Sequence, residues 1–415
     1  MSFVVPMDAS TWVEEAEGSL FPIQNLPFGM IKTPVGSASV VRIGDHAVLL
    51  SALADEGVFD VPVGSIEELV RHGGRKALSE VRRRVFEQLT VGSSVLSRIR
   101  DKALISLAGA SMDLPMVPGA FADFYSGICH ASNVGRMFRP DQPPLLPNYR
   151  HLPVCYNGRA SSVVPSGVPI VRPQGQTKGA QDALPAFGPS KELDFELEMG
   201  FYLASGCGMG EKIAADAAED AVAGLVLVND WSARDVQRWE YQPLGPFLSK
   251  SFATSVSPWL VTLDALAPFR IDGMAQEPAV LPHLQTTGPR HMDVVLEVWV
   301  QSERMTRAQK ICTSNTKHLY WSIAQQIAHL TSNGTNVQPA DLYASGTISG
   351  EEPDSFGSML ELTWRGERPL SLAETGEERR FLADGDVVTM TAHAESQGVR
   401  VGFGEVTARI LPAKG

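Results

Sequence analysis

Residues Leu193–Phe201 read LDFELEMGF, with acidic and apolar side chains alternating throughout. In a β-strand, successive side chains point to opposite faces. The alternation therefore predicts one strand, with Phe195, Leu197, Met199 and Phe201 facing a core. Asp194, Glu196 and Glu198 share the other face. Carboxylates aligned on one face repel one another. Bulk water would make that repulsion cheap, whereas a cation would turn it into attraction. Spacing alone leaves the two readings level.

The same texture extends outward. From residue 120 on, short apolar segments recur between glycine- and proline-rich turns: SSVVPSG, VPIVRP, AGLVLVN, MDVVLEVWV, GSMLELTW, DVVTMTAH and GEVTARIL. That pattern predicts a mainly β domain with some helix, built as a roll or sandwich. Residues 1–115 read as a separate small β unit, and LPMVPG at 114–119 marks the boundary before the domain at 116–415. Ser65-Ile66-Glu67-Glu68 is a capping box for a short helix. Leu78, Val81, Val85, Phe86 and Leu89 fall on one helical face, and Arg82–Arg84 reads as a solvated face. Helices are also predicted over 211–222 and 316–330.

Bulk composition bounds the function. The chain has 415 residues, enough for one large or two ordinary domains, with 44% apolar and 20% charged residues, a globular balance. A net charge of −12 gives no electrostatic reason to bind nucleic acid or an anionic membrane. The start, MSFVVPMDASTWVEEAEG, lacks a basic segment followed by an apolar one, and no apolar run reaches membrane-spanning length. Cys129, Cys155, Cys207 and Cys312 are scattered, with no metal-binding or disulfide spacing. Reduced cysteines in a cytoplasmic protein are the expectation.

Several constellations could carry chemistry. DFYSGICH sets Asp123 and His130 in a glycine-containing loop, and VLVNDW delivers Asp230 from a very apolar strand. Carboxylates without cysteine or clustered histidine suit a hard divalent cation, Mg²⁺ or Ca²⁺. If NDWSARDVQRWEY turns helically, Arg234, Gln237 and Tyr241 share one face as donors for an anion, although spacing slightly favours a polar surface helix. Lys250 is the only charged residue between Glu240 and Asp264, and Thr254 follows four residues later. Among the histidines His130 is the best general-base candidate, being close to a carboxylate. SGTISG carries Gly346, Thr347 and Gly350 but lacks the lysine of a phosphate-binding loop. Glu361 follows in a predicted strand.

Taken in order, FPIQNLPFG, DFYSGICHASNVGRMFR, HLPVCYNGRASSVVPSG, LDFELEM, NDWSARDVQRWEYQPLGPFLSKSF, SGTISG with GSMLEL, and RVGFGEV resemble the fumarylacetoacetases over essentially the whole chain. The resemblance implies a small N-terminal SH3-like domain followed by a β-roll catalytic domain, assembled as a homodimer. It implies hydrolysis of a carbon–carbon bond in a β-diketone, yielding fumarate and acetoacetate. Metal ligands then fall on Asp123, Glu196, Glu198 and Asp230, with Lys250 and Thr254 at a second, Mg²⁺ position. The general base falls on His130 and its partner on Glu361. The oxyanion group falls on Arg234, Gln237 and Lys250, and substrate contacts on Tyr125, Arg139, Gln237, Tyr241 and Thr347. Asp194 stays outside the ligand set, as a neighbour or a solvated residue. Asn157 and Cys155 depart from the family pattern, where histidine and glycine are expected, and neither is a catalytic position.

Overall fold

The computed structural model describes residues 2–90, 92 and 94–415. The first sheet is five-stranded and antiparallel, in the order Leu104–Ser106, His46–Leu49, Gly36–Ile43, Phe28–Thr33, Met112–Asp113. The helix Ile66–Thr90 packs against it. Ser65 Oγ caps the helix by accepting the Glu68 N–H at 3.0 Å. The helix is long rather than short, because two helical arms join across Gly73 and Gly74, where Gly74 takes φ +59°. Leu78, Val81, Val85 and Leu89 are buried, and Phe86 partly so.

Arg82 overturns the solvated-face expectation, because it is 0% exposed. Its guanidinium donates to the carbonyls of Phe3 (2.8 Å), Asn25 (3.1 Å) and Gln24, so it straps the N-terminal segment onto the helix. Arg83 and Arg84 do face outward and pair with Glu80.

Two further large sheets and four two-stranded ones follow among the described residues. The seven-stranded mixed sheet runs Cys155–Asn157, Phe121–Phe124, Leu342–Ala344, Leu197–Leu203, Val222–Asp230, Thr254–Val256, Val163–Pro165. The five-stranded sheet runs Gln309–Asn315, Val295–Gln301, Val387–Ser396, Val399–Leu411, Ile170–Val171. Phe195, Leu197 and Phe201 pack with Leu296, Val298, Met390 and Phe403 in one core. Tyr202, Val226 and Val228 pack on the opposite side with Phe28, Val85 and other N-terminal residues. The central strands are therefore covered on both faces, and every residue from Leu193 to Leu203 is buried.

The predicted single strand is broken. Leu193–Asp194 pairs with Ser232–Ala233, and the long ladder starts only at Leu197. At the break, Asn229 Oδ1 accepts the Glu196 N–H at 3.1 Å, so a side chain replaces the missing ladder bond. Three other expectations are corrected. Residues 211–222 hold a 3₁₀ helix, Ala215–Ala221, whose buried Ala215, Ala218 and Ala221 repeat every three residues, the period of that helix. Residues 316–330 divide into Thr316–His318 and Ile323–Thr331, because Ser322 and Gln325 form a capping box that starts the helix afresh. Glu361 lies on a short helix, Met359–Leu362, rather than a strand, with Ser358 as its cap.

Candidate active site

Asp123 lies on the strand Phe121–Phe124 rather than in a loop, and His130 on the helix Ile128–Phe138 that follows. Glu196 sits in the strand break, Glu198 one residue into the long ladder, and Asp230 at the end of Val222–Asp230. The pairing of Leu342–Ala344 with both Phe121–Phe124 and Leu197–Leu203 draws the carboxylates together. One oxygen from each of Asp123, Glu196, Glu198 and Asp230 lies within 4.8 Å of the others, and all four residues are buried.

Burial, then the neighbouring charges Asp230 and Glu196, pushes Asp123 well above the usual carboxylate range. Burial, then Asp123 and Glu196, does the same to Glu198. Asp123 Oδ1 and Glu198 Oε1 are buried without a hydrogen-bond partner. The other Glu198 oxygen accepts the Gly346 N–H at 3.1 Å. Converging, uncompensated oxygens of this kind fit a hard divalent cation, which would supply the missing charge.

The remaining two carboxylates are compensated by cations of the chain. Lys250 Nζ donates to Asp230 Oδ2 at 2.9 Å and also binds Glu196. Arg234 Nη1 lies 2.8 Å from Glu196 Oε1. Burial alone would raise the Glu196 carboxyl, but Lys250 and Arg234 outweigh it and hold the group at about 2. The same carboxylates keep Lys250 and Arg234 protonated despite their burial. Thr254 Oγ1 donates to Asp230 Oδ1 at 2.6 Å, and the Tyr156 hydroxyl donates to Asp230 Oδ2.

His130 Nδ1 lies 2.6 Å from Glu361 Oε2. A carboxylate only accepts, so Nδ1 carries the proton and Nε2 keeps its lone pair. Glu361 also accepts from Asn133 Nδ2 (2.9 Å), Ser349 Oγ (2.8 Å) and Ser358 Oγ (2.8 Å). Burial works to raise its carboxyl, but His130 and these donors outweigh it and the net shift is downward.

A cavity of about 460 Å³ opens on this centre, lined by Asp123, Tyr125, His130, Arg139, Glu196, Arg234, Gln237, Tyr241, Lys250 and Thr347. The Tyr125 ring stands edge-on to His130, centroids 5.4 Å apart. Gln237 Oε1 accepts from Arg234 Nη1 at 3.2 Å, and Tyr241 is half-exposed at the mouth. Arg139 Nε, Thr347 Oγ1 and Arg234 Nη2 are buried without partners. All the residues singled out in the sequence thus gather at one place, with Glu198, Asp230, Thr254 and Glu361 just beneath the cavity wall.

Sequence reading missed several members. Tyr149 lines the cavity with an unpartnered buried hydroxyl, and Tyr156 holds Asp230. Asn133 is three residues beyond His130 on its helix, a spacing that could have pointed to it. Ser349 lies within SGTISG among other small residues, and nothing local marked Tyr149 or Ser358. Of the two readings left open for Asp194, the structure gives the neighbour rather than the solvated residue: it is 0% exposed and bonded to Arg234 at 2.8 Å.

The profile described as "Fumarylacetoacetate (FAA) hydrolase C-terminal" matches residues 120–411, and "Fumarylacetoacetase N-terminal" matches residues 24–115. The chain is 46% identical to the fumarylacetoacetases of Rattus norvegicus and Homo sapiens, over 97% of its length and 99% of theirs. It is 44% identical to that of Oryza sativa subsp. japonica, over 97% of both chains. Among solved structures, a fumarylacetoacetate hydrolase of Exiguobacterium antarcticum superposes with a TM-score of 0.53 at 17% identity, covering 94% of this chain and 99% of that one. At that identity it shares the fold and nothing finer. Matched across both domains, the chain belongs to the fumarylacetoacetate hydrolase family.

Proposed function

We propose that the protein hydrolyses the carbon–carbon bond of 4-fumarylacetoacetate to fumarate and acetoacetate, in the breakdown of tyrosine and phenylalanine. The observation that carries this reading is the His130–Glu361 pair facing the same cavity as the buried carboxylate cluster and its cationic neighbours. The like-named relatives, matched over nearly their full length, support the substrate.

Each residue has a task in this reaction. His130 Nε2 takes a proton from water, with Glu361 fixing the tautomer and stabilising the imidazolium that forms. The hydroxide oxygen bonds to a carbonyl carbon, and the carbonyl electron pair becomes an oxyanion. Arg234, with a free buried Nη2 donor, stabilises that charge together with Gln237 and Lys250. The carbon–carbon bond then breaks, its electron pair leaves as an enolate, and the proton taken from water ends on the departing carbon. Asp123, Glu196, Glu198 and Asp230 would hold a divalent cation, which when bound would supply Lewis-acid chemistry and positive charge beside the substrate. We assign that cation as Ca²⁺ or Mg²⁺. Thr254 and the carbonyl oxygen of Lys250 would serve a second, Mg²⁺ position, because the protonated Nζ has no lone pair to offer. Arg139 Nε and Thr347 Oγ1, both unpartnered, grip a substrate carboxylate beside Tyr125 and Tyr241.

In this reading residues 1–115 form the supporting domain and 116–415 the catalytic one. The protein works as a cytoplasmic homodimer. Four unpaired cysteines support the reducing compartment, and the family resemblance supports the dimer. Purified protein given fumarylacetoacetate, with and without a chelator, tests the function. Chelator-sensitive release of fumarate is expected. Clearly faster turnover of a shorter acylpyruvate under the same conditions would replace the substrate assignment.

A further inference from the structure

Resting on that reaction, we propose that Asp194 is a positioning residue that sets the oxyanion arginine and the general-base dyad in register with one another. Its buried carboxylate bonds to both. Oδ2 accepts from Arg234 Nε at 2.8 Å. Oδ1 accepts the Met359 N–H at 2.6 Å, and Oδ2 the Leu360 N–H at 3.0 Å. These are the two residues directly before Glu361, whose Oε2 holds His130 Nδ1 at 2.6 Å. One carboxylate thus spans the gap between the group that meets developing negative charge and the group that fixes the base.

Charge and geometry explain why it is a carboxylate. Arg234 is buried between two anions, Asp194 on Nε and Glu196 on Nη1, and this leaves Nη2 as the donor without a partner. Asp194 shares the guanidinium, so that Glu196 is not its sole counter-ion. Without that charge, Arg234 would be drawn wholly onto Glu196, one of the four cluster carboxylates. The hold on the backbone before Glu361 would weaken at the same time. Groups that orient the ligands of a metal site are worth about 10- to 100-fold in activity, and the same order is expected of a carboxylate that orients a catalytic arginine. The cost falls on kcat rather than KM when the lost interaction belongs to the transition state.

Asp194→Asn tests this. It keeps the shape and one acceptor, but turns an amide N–H toward Arg234 or Leu360. The expected result is a kcat lower by about 10- to 100-fold, a KM within about 3-fold of wild type, and a protein that stays folded at the assay temperature although its unfolding midpoint falls. Asp194→Glu, which keeps the charge and displaces it by one methylene, is expected to lose kcat in the same way and decides the matter if the asparagine variant does not fold. In a double-mutant cycle, Asp194→Asn combined with Arg234→Gln should lose clearly less than the sum of the two single losses, because one of the two arms of Asp194 acts through Arg234. Additive losses, or wild-type kcat in the folded variants, would overturn the proposal. A wild-type enzyme that does not turn over fumarylacetoacetate would instead remove the proposed function, and this inference with it.

Discussion

Nδ1 of His130 and Oε2 of Glu361 lie 2.6 Å apart, although 231 residues separate them in the chain. The contact is buried and reinforced by Asn133, Ser349 and Ser358, so the imidazole is held in one tautomer before any substrate arrives. Replacing His130 by alanine should abolish hydrolysis while the carboxylate cluster still binds its cation. Glu361→Gln should keep the fold but lower kcat by about 10²- to 10⁴-fold, since the amide can present its N–H to Nδ1 and favour the wrong tautomer. Steady-state kinetics beside calorimetric cation titration check both. Turnover retained in His130→Ala would refute the assignment of the base.

The carboxylate cluster gives stability a definite pH dependence. Asp123 and Glu198 titrate well above ordinary carboxylates in the native state. Between the ordinary value and the raised one, the native protein holds more protons than the unfolded chain, so the cation-free fold loses stability as pH rises through that window. Below it the sign reverses. Glu196, held at about 2 against an ordinary 4.5, and the lowered Glu361 contribute stability that is present above the ordinary value and lost as pH falls. In chelator-treated protein, added Ca²⁺ or Mg²⁺ should therefore raise the melting midpoint more at about pH 8 than at about pH 5.5, because the cation has fewer protons to displace from Asp123 and Glu198 at the higher pH. Differential scanning fluorimetry over a pH series reads this. A cation effect that grew toward low pH would contradict it.

Gly346 cannot take a side chain. Its φ is +76°, and an added Cβ would overlap the carbonyl of Phe124. Its N–H also donates to Glu198. Gly346→Ala should cost at least about 2 kcal/mol and weaken cation binding. Gly376→Ala is the control: its φ is +70° with open space around it, so it carries the backbone strain without the collision. About 1 kcal/mol and unchanged cation affinity are expected there. Equal losses at the two glycines would show that strain alone matters.

Arg82 concerns the fold rather than the chemistry. Arg82→Met keeps the length of the side chain but leaves the carbonyls of Phe3, Gln24 and Asn25 without their donor. A loss of about 3–5 kcal/mol is expected in urea unfolding, because unsatisfied buried acceptors cost far more than exposed ones. A change below about 1 kcal/mol would mean that the strap is dispensable.

Residues 193–201 show where sequence and tertiary structure divide the work. The alternation by itself determined that this segment is extended, that Phe195, Leu197 and Phe201 serve a core, and that a row of carboxylates stands opposite. The family resemblance added which of those carboxylates a metal would use, and the structure brings those two, Glu196 and Glu198, into a cluster that could hold one. The break after Asp194 was invisible, because it depends on Asn229, a residue from the neighbouring strand, replacing a ladder bond. Arg82 was misjudged, and Asp194 left open between a neighbour and a solvated residue, for a related reason. Burial of a charged side chain is decided by the groups that surround it, and those come from Arg234, Met359 and Leu360 in one case and from Phe3, Gln24 and Asn25 in the other. Local periodicity records what a residue needs along its own strand or helix. Which distant donors and charges meet that need is settled only when the sheets close on each other and bring positions such as 130 and 361 within hydrogen-bonding distance.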